Sequence, residues 1–361
     1  VTSYGSGIFH NDYAVRVKVC IENYRNGCKA YTDANSNITY KPTGVLHDFG
    51  ENGSLEFGLL TGSYDKNMSG GRLRKNITSF AAEVSSTTGV FQNPTNSLIK
   101  QINDIRIRNF NNPTGSNTIF QNKGRPVPDY ANDYYGNNFI YKNQYDYASG
   151  LMGDGNYADW GNPVAEMMYE GLRYFKGAGS ASNEYAETST EDGAVGLDTP
   201  TWIDPYADTT KWCAKPVQVV ISGPNPSFDS DQLPGSKFGT VGTTLSNVAG
   251  TAINVQTLAN IIGGTNTSGV FGEQINGTYR FVAESYVGGT LIANGSPTAK
   301  MVDSLGTIRG LAPDETDKRG SYYAASVAYF GKKSSLRAVN NKNIPTVDTF
   351  SLLLNSPFPK I

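Results

Sequence analysis

Residues 161 to 177 read GNPVAEMMYEGLRYFKG, and this stretch constrains the fold more than any other. Asn162 fits an N-cap, Pro163 the first helical position, and Glu166 the first turn, where a carboxylate meets the positive end of the helix dipole. Val164, Met167, Met168, Leu172 and Phe175 then share one stripe, and Gly177 supplies the stop. A helix with one apolar stripe has to lay it on something. Residues 216 to 222 read as a buried strand, because Val219, Val220 and Ile221 form an apolar run. The same pairing of patterns recurs along the chain. Residues 14 to 20 alternate Val15, Val17 and Val19 with Arg16 and Lys18, a half-exposed strand, and residues 55 to 62 read as an interior strand. Leu98, Ile99, Ile102 and Ile105 predict a helix over 97 to 107 behind a Ser97 cap. Further helices are expected at 254 to 264 and 321 to 331, and strands at 279 to 285 and 347 to 354. Strands alternating with amphipathic helices predict an α/β sheet with helices on its faces.

Long connections at 111 to 159, 178 to 211 and 223 to 250 interrupt this pattern, and loops of that length are usually insertions or functional. The first is rich in tyrosine, including Tyr134, Tyr135, Tyr141, Tyr145 and Tyr147. Tyrosines offer large contact area at small entropic cost, which suits a surface for a protein or sugar; packing of the insertion on its own rings is the plainer alternative.

Composition removes several classes of function. With 30 basic and 32 acidic residues the net charge is −2, so the chain lacks the basic footprint that nucleic acid or an anionic membrane would need. No apolar run approaches the length of a membrane span, and the first ten residues do not read as a signal peptide, so it has been removed or the chain is cytosolic. Cys20 and Cys28 bracket a turn-rich IENYRNG segment that a disulfide could close in an oxidising compartment; two reduced thiols are the alternative, and Cys213 has no evident partner. His10 and His47 are the only histidines, and no HExxH, CxxC, GxSxG or GxxxxGK[ST] pattern occurs. The common zinc, thiol, serine-hydrolase and P-loop chemistries therefore lack their parts, and a non-enzymatic protein is expected.

Hard cations need clustered oxygens. Asp33, Asn35 and Asn37 alternate in DANSN, but Ile38 and Gly44 stand where a calcium loop needs Gly and Glu. The better candidate is the strand exit VVISGPNPSFDSDQ at 219 to 232, where Asp229 and Asp231 follow the neutral oxygens of Ser222 and Asn225. An exposed acidic turn is the simpler explanation of the same residues.

Longer blocks carry a family resemblance. RVKVCIENYRNGCKAY, LEFGLLTGSYDKNMSGGRLRKNI, WGNPVAEMMYEGLRYFKG, WCAKPVQVVISGPNPSFDSDQLPGS, GSYYAASVAYFGK and VDTFSLLLNSPFPKI follow one another in this order. Together they resemble the PilC/PilY family of type IV pilus biogenesis and tip-adhesin proteins over most of the chain outside the Tyr-rich insertion and residues 178 to 210. The resemblance implies a single von Willebrand factor A-like domain over 1 to 361, a Rossmann-like sheet flanked by helices with long loop insertions. It implies that the first strand lies upstream of Val1 and that the family's C-terminal propeller is not in this chain. In such a domain a metal-ion-dependent adhesion site uses a DxSxS loop, which is absent here, a Thr before a helix and an Asp after the central strand. Asn162 matches the Thr position and Gly223 the Asp position, leaving Asn162, Ser222, Asn225, Asp229 and Asp231 as a degenerate site. Affinity rises with ligand charge, so bound Ca²⁺ or Mg²⁺ is expected to be weak and no cofactor is required. The implied role is an extracellular module at the pilus tip, exported through the periplasm. Its implied partners are minor pilins, a host or abiotic surface and the parent's own propeller; a structural subunit of a larger assembly is the alternative.

Overall fold

The computed structural model describes residues 2–4, 8–10, 17–92, 96–105, 161–186, 191–194, 196–239, 253–263, 277–311 and 319–354. The Tyr-rich stretch with Tyr134, Tyr135, Tyr141, Tyr145 and Tyr147 lies outside them. The chain divides into two compact units, one of residues 1–57 and 78–99, the other of residues 58–77 and 100–361.

The first unit opens with β1 (Thr2–Tyr4) antiparallel to β2 (Ile8–His10), followed by an antiparallel hairpin of β3 (Cys28–Thr32) and β4 (Ile38–Pro42). The hairpin turn is DANSN, and it is satisfied from within. Asp33 Oδ1 accepts the N–H groups of Asn35 and Asn37, both at 2.8 Å, and Oδ2 accepts Asn37 Nδ2 at 3.0 Å. An Asp that bonds its own backbone in this way is a turn device. Residues 17 to 19 lie in no strand, so the alternation of Val17 and Val19 with Lys18 does not build one in the described residues. Cys20 and Cys28 are joined as a disulfide, their Cα atoms 5.9 Å apart. After the short helix α1 (Val45–Gly50) the unit's core gathers on Phe80, which is fully buried and meets Phe57 and His47 edge-on.

β5 (Glu56–Thr61) pairs with β6 (Arg72–Ser79), and α2 (Leu98–Asp104) follows; the division between the units runs through all three. At the start of α2 the capping differs from the sequence expectation. Ser97 Oγ donates to Glu83 Oε2 at 2.9 Å, and that same carboxylate oxygen accepts the Ile99 N–H at 3.2 Å. A buried anion at the positive helix end outcompetes a neutral hydroxyl for the orphan donor.

The second unit is built on α3 (Val164–Lys176). Its apolar residues Ala165, Met168, Tyr169, Leu172 and Phe175 join a core with Tyr323, Val327 and Phe330 of a later helix. Gly177 takes the left-handed conformation (φ 90°) and donates its N–H to Tyr174 O, closing the helix as predicted. Next come α4 (Glu191–Ala194), β7 (Val217–Ser222), α5 (Val255–Gly263), β8 (Thr278–Val287), β9 (Thr290–Val302) and β10 (Ile308–Arg309). Last are α6 (Tyr323–Lys333), β11 (Ala338–Val339), β12 (Lys342–Asn343) and β13 (Asp348–Leu353). β8 pairs antiparallel with β9 on one side and β10 on the other, with a bulge between Val282 and Glu284. β13 pairs parallel with β7, setting Phe350 beside Val219 and Leu352 beside Ile221. α3 and α6 pack side by side and hold this pair on one face, where Gly331 of α6 lets Leu172 and Val347 approach.

The architecture is mixed α/β with small sheets. Two-stranded sheets and one of three strands replace the continuous Rossmann-like sheet expected from the pattern, as far as the described residues extend. The apolar run at 216 to 222 does form a strand, but not a buried one. Its burial alternates, with Val219 62 % and Ile221 60 % exposed and Val220 turned toward the core.

Candidate functional site

The five residues singled out for metal binding surround the N-terminus of α3, and the structure divides them into two groups. α3 starts at Val164, one residue after Pro163, so Asn162 stands outside the helix and its side chain does not cap it. Asn162 instead ties two segments together. Its N–H donates to Ser227 Oγ at 2.8 Å, and Ser227 N–H returns to Asn162 O at 2.9 Å. Its Nδ2 donates to Ser222 Oγ at 2.9 Å and to Asn225 O at 2.9 Å, while Ser222 Oγ lies 3.0 Å from Gly223 O. Ser222 Oγ and Asn225 O therefore accept amide protons from Asn162, and Asn162 Oδ1 lies 3.0 Å from the Ser222 hydroxyl as its acceptor. This set is built as a clasp at the strand exit, and it does not fit a hard divalent ion.

Asp229 belongs to the second group. It is fully buried, and its Oδ1 accepts Ser321 N–H at 2.8 Å and Ser321 Oγ–H at 2.9 Å. Its Oδ2 is buried without a hydrogen bond. Burial pushes the Asp229 carboxyl up to about 7, against the downward pull of Ser321 and of the Ala165 amide in the first turn of α3. Asp231 is half-buried, and its charge bears on Glu166. Among the described residues no three His, Cys, Asp or Glu side chains gather into a metal-holding group.

Glu166, expected only to face the helix dipole, has a larger role. It is fully buried, with Oε2 accepting Gly70 N–H at 2.7 Å and Oε1 accepting Gln232 N–H at 3.1 Å. One carboxylate thus fixes the 62–71 loop and the 223–239 loop to the first turn of α3. Burial raises its pKa well above the usual carboxylate range, and the nearby charges of Asp231 and Asp229 push the same way. Close backbone approach completes the arrangement. A Cβ on Gly161 (φ 130°) would sit 1.9 Å from Asn67 O, and a Cβ on Gly320 would sit 2.1 Å from Pro226 O.

A second buried polar centre lies in the same unit and was not foreseen. Arg74 and Asp192 form an ion pair with both side chains wholly buried. Arg74 also donates to Thr61 Oγ1 at 2.9 Å and Gly62 O at 3.1 Å, and Asp192 Oδ1 accepts Tyr64 N–H at 2.7 Å. Asp192 falls in the region read as an insertion, where nothing local marks it as a partner for a strand residue 118 positions earlier. The geometry around α3 is that of structural fastening: carboxylates and amides are spent on backbone and hydroxyl groups of neighbouring loops.

Comparison with known proteins identifies the family. A family model described as "PilY1 homolog, second domain" matches residues 57–331. The chain is 34 % identical over 370 residues to the type IV pilus biogenesis factor PilY1 homolog of Xylella fastidiosa (strain Temecula1 / ATCC 700964), covering 97 % of this chain and 22 % of that protein. It therefore spans about a fifth of the length of the curated relative it matches. No solved structure matches the chain. With most of its length matched by that family model and nearly all of it aligned to a PilY1 homolog, the chain belongs to the PilY1 family of type IV pilus biogenesis proteins.

Proposed function

We propose that the chain is an extracellular, non-enzymatic module of a pilus-tip protein, supporting pilus assembly and surface adhesion through protein–protein contacts. Membership of the PilY1 family carries this reading. The chemistry around α3 supports it, because the polar groups there hold loops in place. The net charge of −2 gives nucleic acid no basic surface to follow. The partners we propose are minor pilins, a host or abiotic surface, and a propeller elsewhere in the parent protein. The parallel β7–β13 pair with α3 and α6 on one face is read as part of a von Willebrand factor A-like layer. Its adhesion-type site works without a tightly held Mg²⁺ or Ca²⁺, since the Asn162 clasp uses the neutral oxygens and Asp229 is committed to Ser321.

The test is deletion of the parent gene, followed by complementation with the intact gene or with one lacking residues 57–331. Surface pili, twitching and attachment should fall on deletion and return only with the intact gene. Equal piliation and attachment in all strains would refute the proposal.

A further inference from the structure

Five lysines of the second unit gather at the end of the β7–β13 ladder away from the Asn162 clasp. The register pairs Asp348 with Val217 at the start of both strands, and Leu353 with Ser222 at the far end, where the clasp sits. At the near end Asp348 meets Lys332 Nζ at 2.5 Å and Lys215 Nζ at 3.3 Å, one carboxylate between two ammonium groups. Lys215 Nζ also reaches Thr346 Oγ1 at 3.4 Å. Lys342 of β12 stands 4.5 Å over the ring of Trp212, in the 3-10 turn Thr209–Cys213 that also carries Lys211. Lys333 follows Lys332 at the end of α6. Arg337 is matched by Asp204, with Nη1 2.8 Å from Oδ2, and Asp208 caps the turn by accepting the Thr210 N–H at 3.0 Å. Residues 204–217 and 329–348 thus carry six cations and three anions, in a chain whose net charge is −2.

Helix capping explains only part of this gathering. Lys332 and Lys333 stand in the last turn of α6, where cations complement the dipole, but Lys215 precedes β7 and Lys342 lies in β12. Lys215, Lys332, Lys333 and Lys342 are exposed and Trp212 is half-buried. Asp348, Thr346 and the Trp212 ring hold three of the ammonium groups in place, so an incoming anion costs little further side-chain freedom. We propose that this end of the second unit is a docking surface for an acidic segment of another protein, whose carboxylates meet Lys215, Lys332 and Lys342 while an apolar side chain meets Trp212. A half-buried tryptophan rimmed by charge has the anatomy of a protein interface. The surplus of cations speeds encounter with an acidic partner and rejects a basic one. Nucleic acid or an anionic membrane would need a basic track running beyond this small surface, which a chain of net charge −2 does not offer. The inference rests on these side chains alone and does not depend on the role at the pilus.

The experiment uses the full-length parent protein and a fluorescein-labelled decaglutamate peptide as the probe, with binding read by fluorescence anisotropy at low salt. Wild type is compared with Lys215→Gln/Lys332→Gln/Lys342→Gln, with the same three positions changed to Arg, and with Lys18→Gln/Arg25→Gln, which removes two exposed cations from the first unit. In a parallel sample, wild-type protein and peptide are joined by a zero-length carbodiimide, which condenses a peptide carboxylate with a lysine amine, and the joined lysines are mapped by mass spectrometry. The Gln triple variant should bind the peptide about tenfold more weakly, while the Arg triple variant and the first-unit variant keep wild-type affinity. The joined lysines should be Lys215, Lys332 or Lys342, a readout that needs no variant to fold. Unchanged affinity in the Gln triple variant, or joining only at other lysines, would overturn the proposal. So would tighter binding of single-stranded oligo-dT or of phosphatidylglycerol vesicles than of decaglutamate.

Discussion

Replacing Asp229 with Asn removes one ionisation from the interior of the second unit while keeping an acceptor for Ser321. Asp229 is fully buried, and its carboxyl is pushed from 3.8 up to about 7. Between those values the folded protein holds a proton that the unfolded chain has released. Unfolding free energy therefore falls as pH rises through this window and levels off above about pH 8. At about 1.36 kcal/mol per pH unit, the full window corresponds to about 4 kcal/mol. Glu166 contributes with the same sign, so the informative quantity is the difference between wild type and Asp229→Asn. Urea unfolding at pH 5, 6, 7 and 8, followed by tryptophan fluorescence, measures it; Trp202, edge-on to Tyr174 of α3, reports on this unit. The variant should gain on wild type by about 2 to 3 kcal/mol between pH 5 and pH 8, the part of the window within that range. Staying above pH 5 avoids Asp204 and Glu51, whose lowered pKa values act in the opposite direction at lower pH. Parallel pH profiles, or a wild type that becomes more stable from pH 5 to pH 8 relative to the variant, would refute the reasoning.

Four further outcomes follow from the same geometry. Arg74→Met strands the buried Asp192 carboxylate and should cost about 3–5 kcal/mol in urea unfolding, with Arg74→Met/Asp192→Leu regaining part of it. Gly70→Ala forces a side chain into a left-handed position (φ 54°) with its Cβ 2.0 Å from the Tyr185 ring. It should cost about 2–4 kcal/mol, visible as a lower urea midpoint at unchanged slope. Cys20→Ser opens a loop of sequence separation 8 and should destabilise the first unit by about 2.5 kcal/mol, measured by limited proteolysis under oxidising and reducing conditions. Millimolar Mg²⁺ or Ca²⁺ should leave the melting temperature unchanged; a large increase abolished by Asp229→Ala or Asp231→Ala would show that a metal is held after all.

The elements with strong local signals were legible in the sequence. α3, with Pro163 before its start and Gly177 at its stop, appears within a residue or two of the expected bounds. The strand at 216 to 222 was equally plain, but its environment was not. An apolar run of Val219, Val220 and Ile221 states a preference for burial on both faces, and only the tertiary structure shows which face is met. The long β9 strand was missed because Gly295 and Pro297 break its pattern; the antiparallel partner β8 supplies the order that local propensity does not. DANSN looked like an oxygen-rich loop, and such turns commonly spend Asp on their own N–H groups, as Asp33 does. Asp229 reads in the sequence as a candidate cation ligand or as an exposed acidic turn, and it is buried against Ser321 instead. Its partner Ser321 is 92 residues away, and no local pattern links the two.

The blocks through which the chain resembles its family meet largely at one place. Gly70 comes from LEFGLLTGSYDKNMSGGRLRKNI, Glu166 from WGNPVAEMMYEGLRYFKG, Asp229 and Gln232 from the strand-exit block, and Ser321 from GSYYAASVAYFGK. In the fold, Glu166 joins Gly70 to Gln232, and Asp229 joins its loop to Ser321 beside the start of α3. Gly161 and Gly320 let Asn67 and Pro226 come close at the same junction. Text that invites a ligand-site reading, with glycines, acids and prolines in loops, here encodes the fastening of three distant segments to one helix end. Buried carboxylates suit that task because each can satisfy two backbone or hydroxyl donors that would otherwise be orphaned. The accompanying cost is the raised pKa of Asp229 and Glu166, which makes the junction more stable in mild acid than in neutral solution. A metal at this junction would have to compete with every one of those bonds.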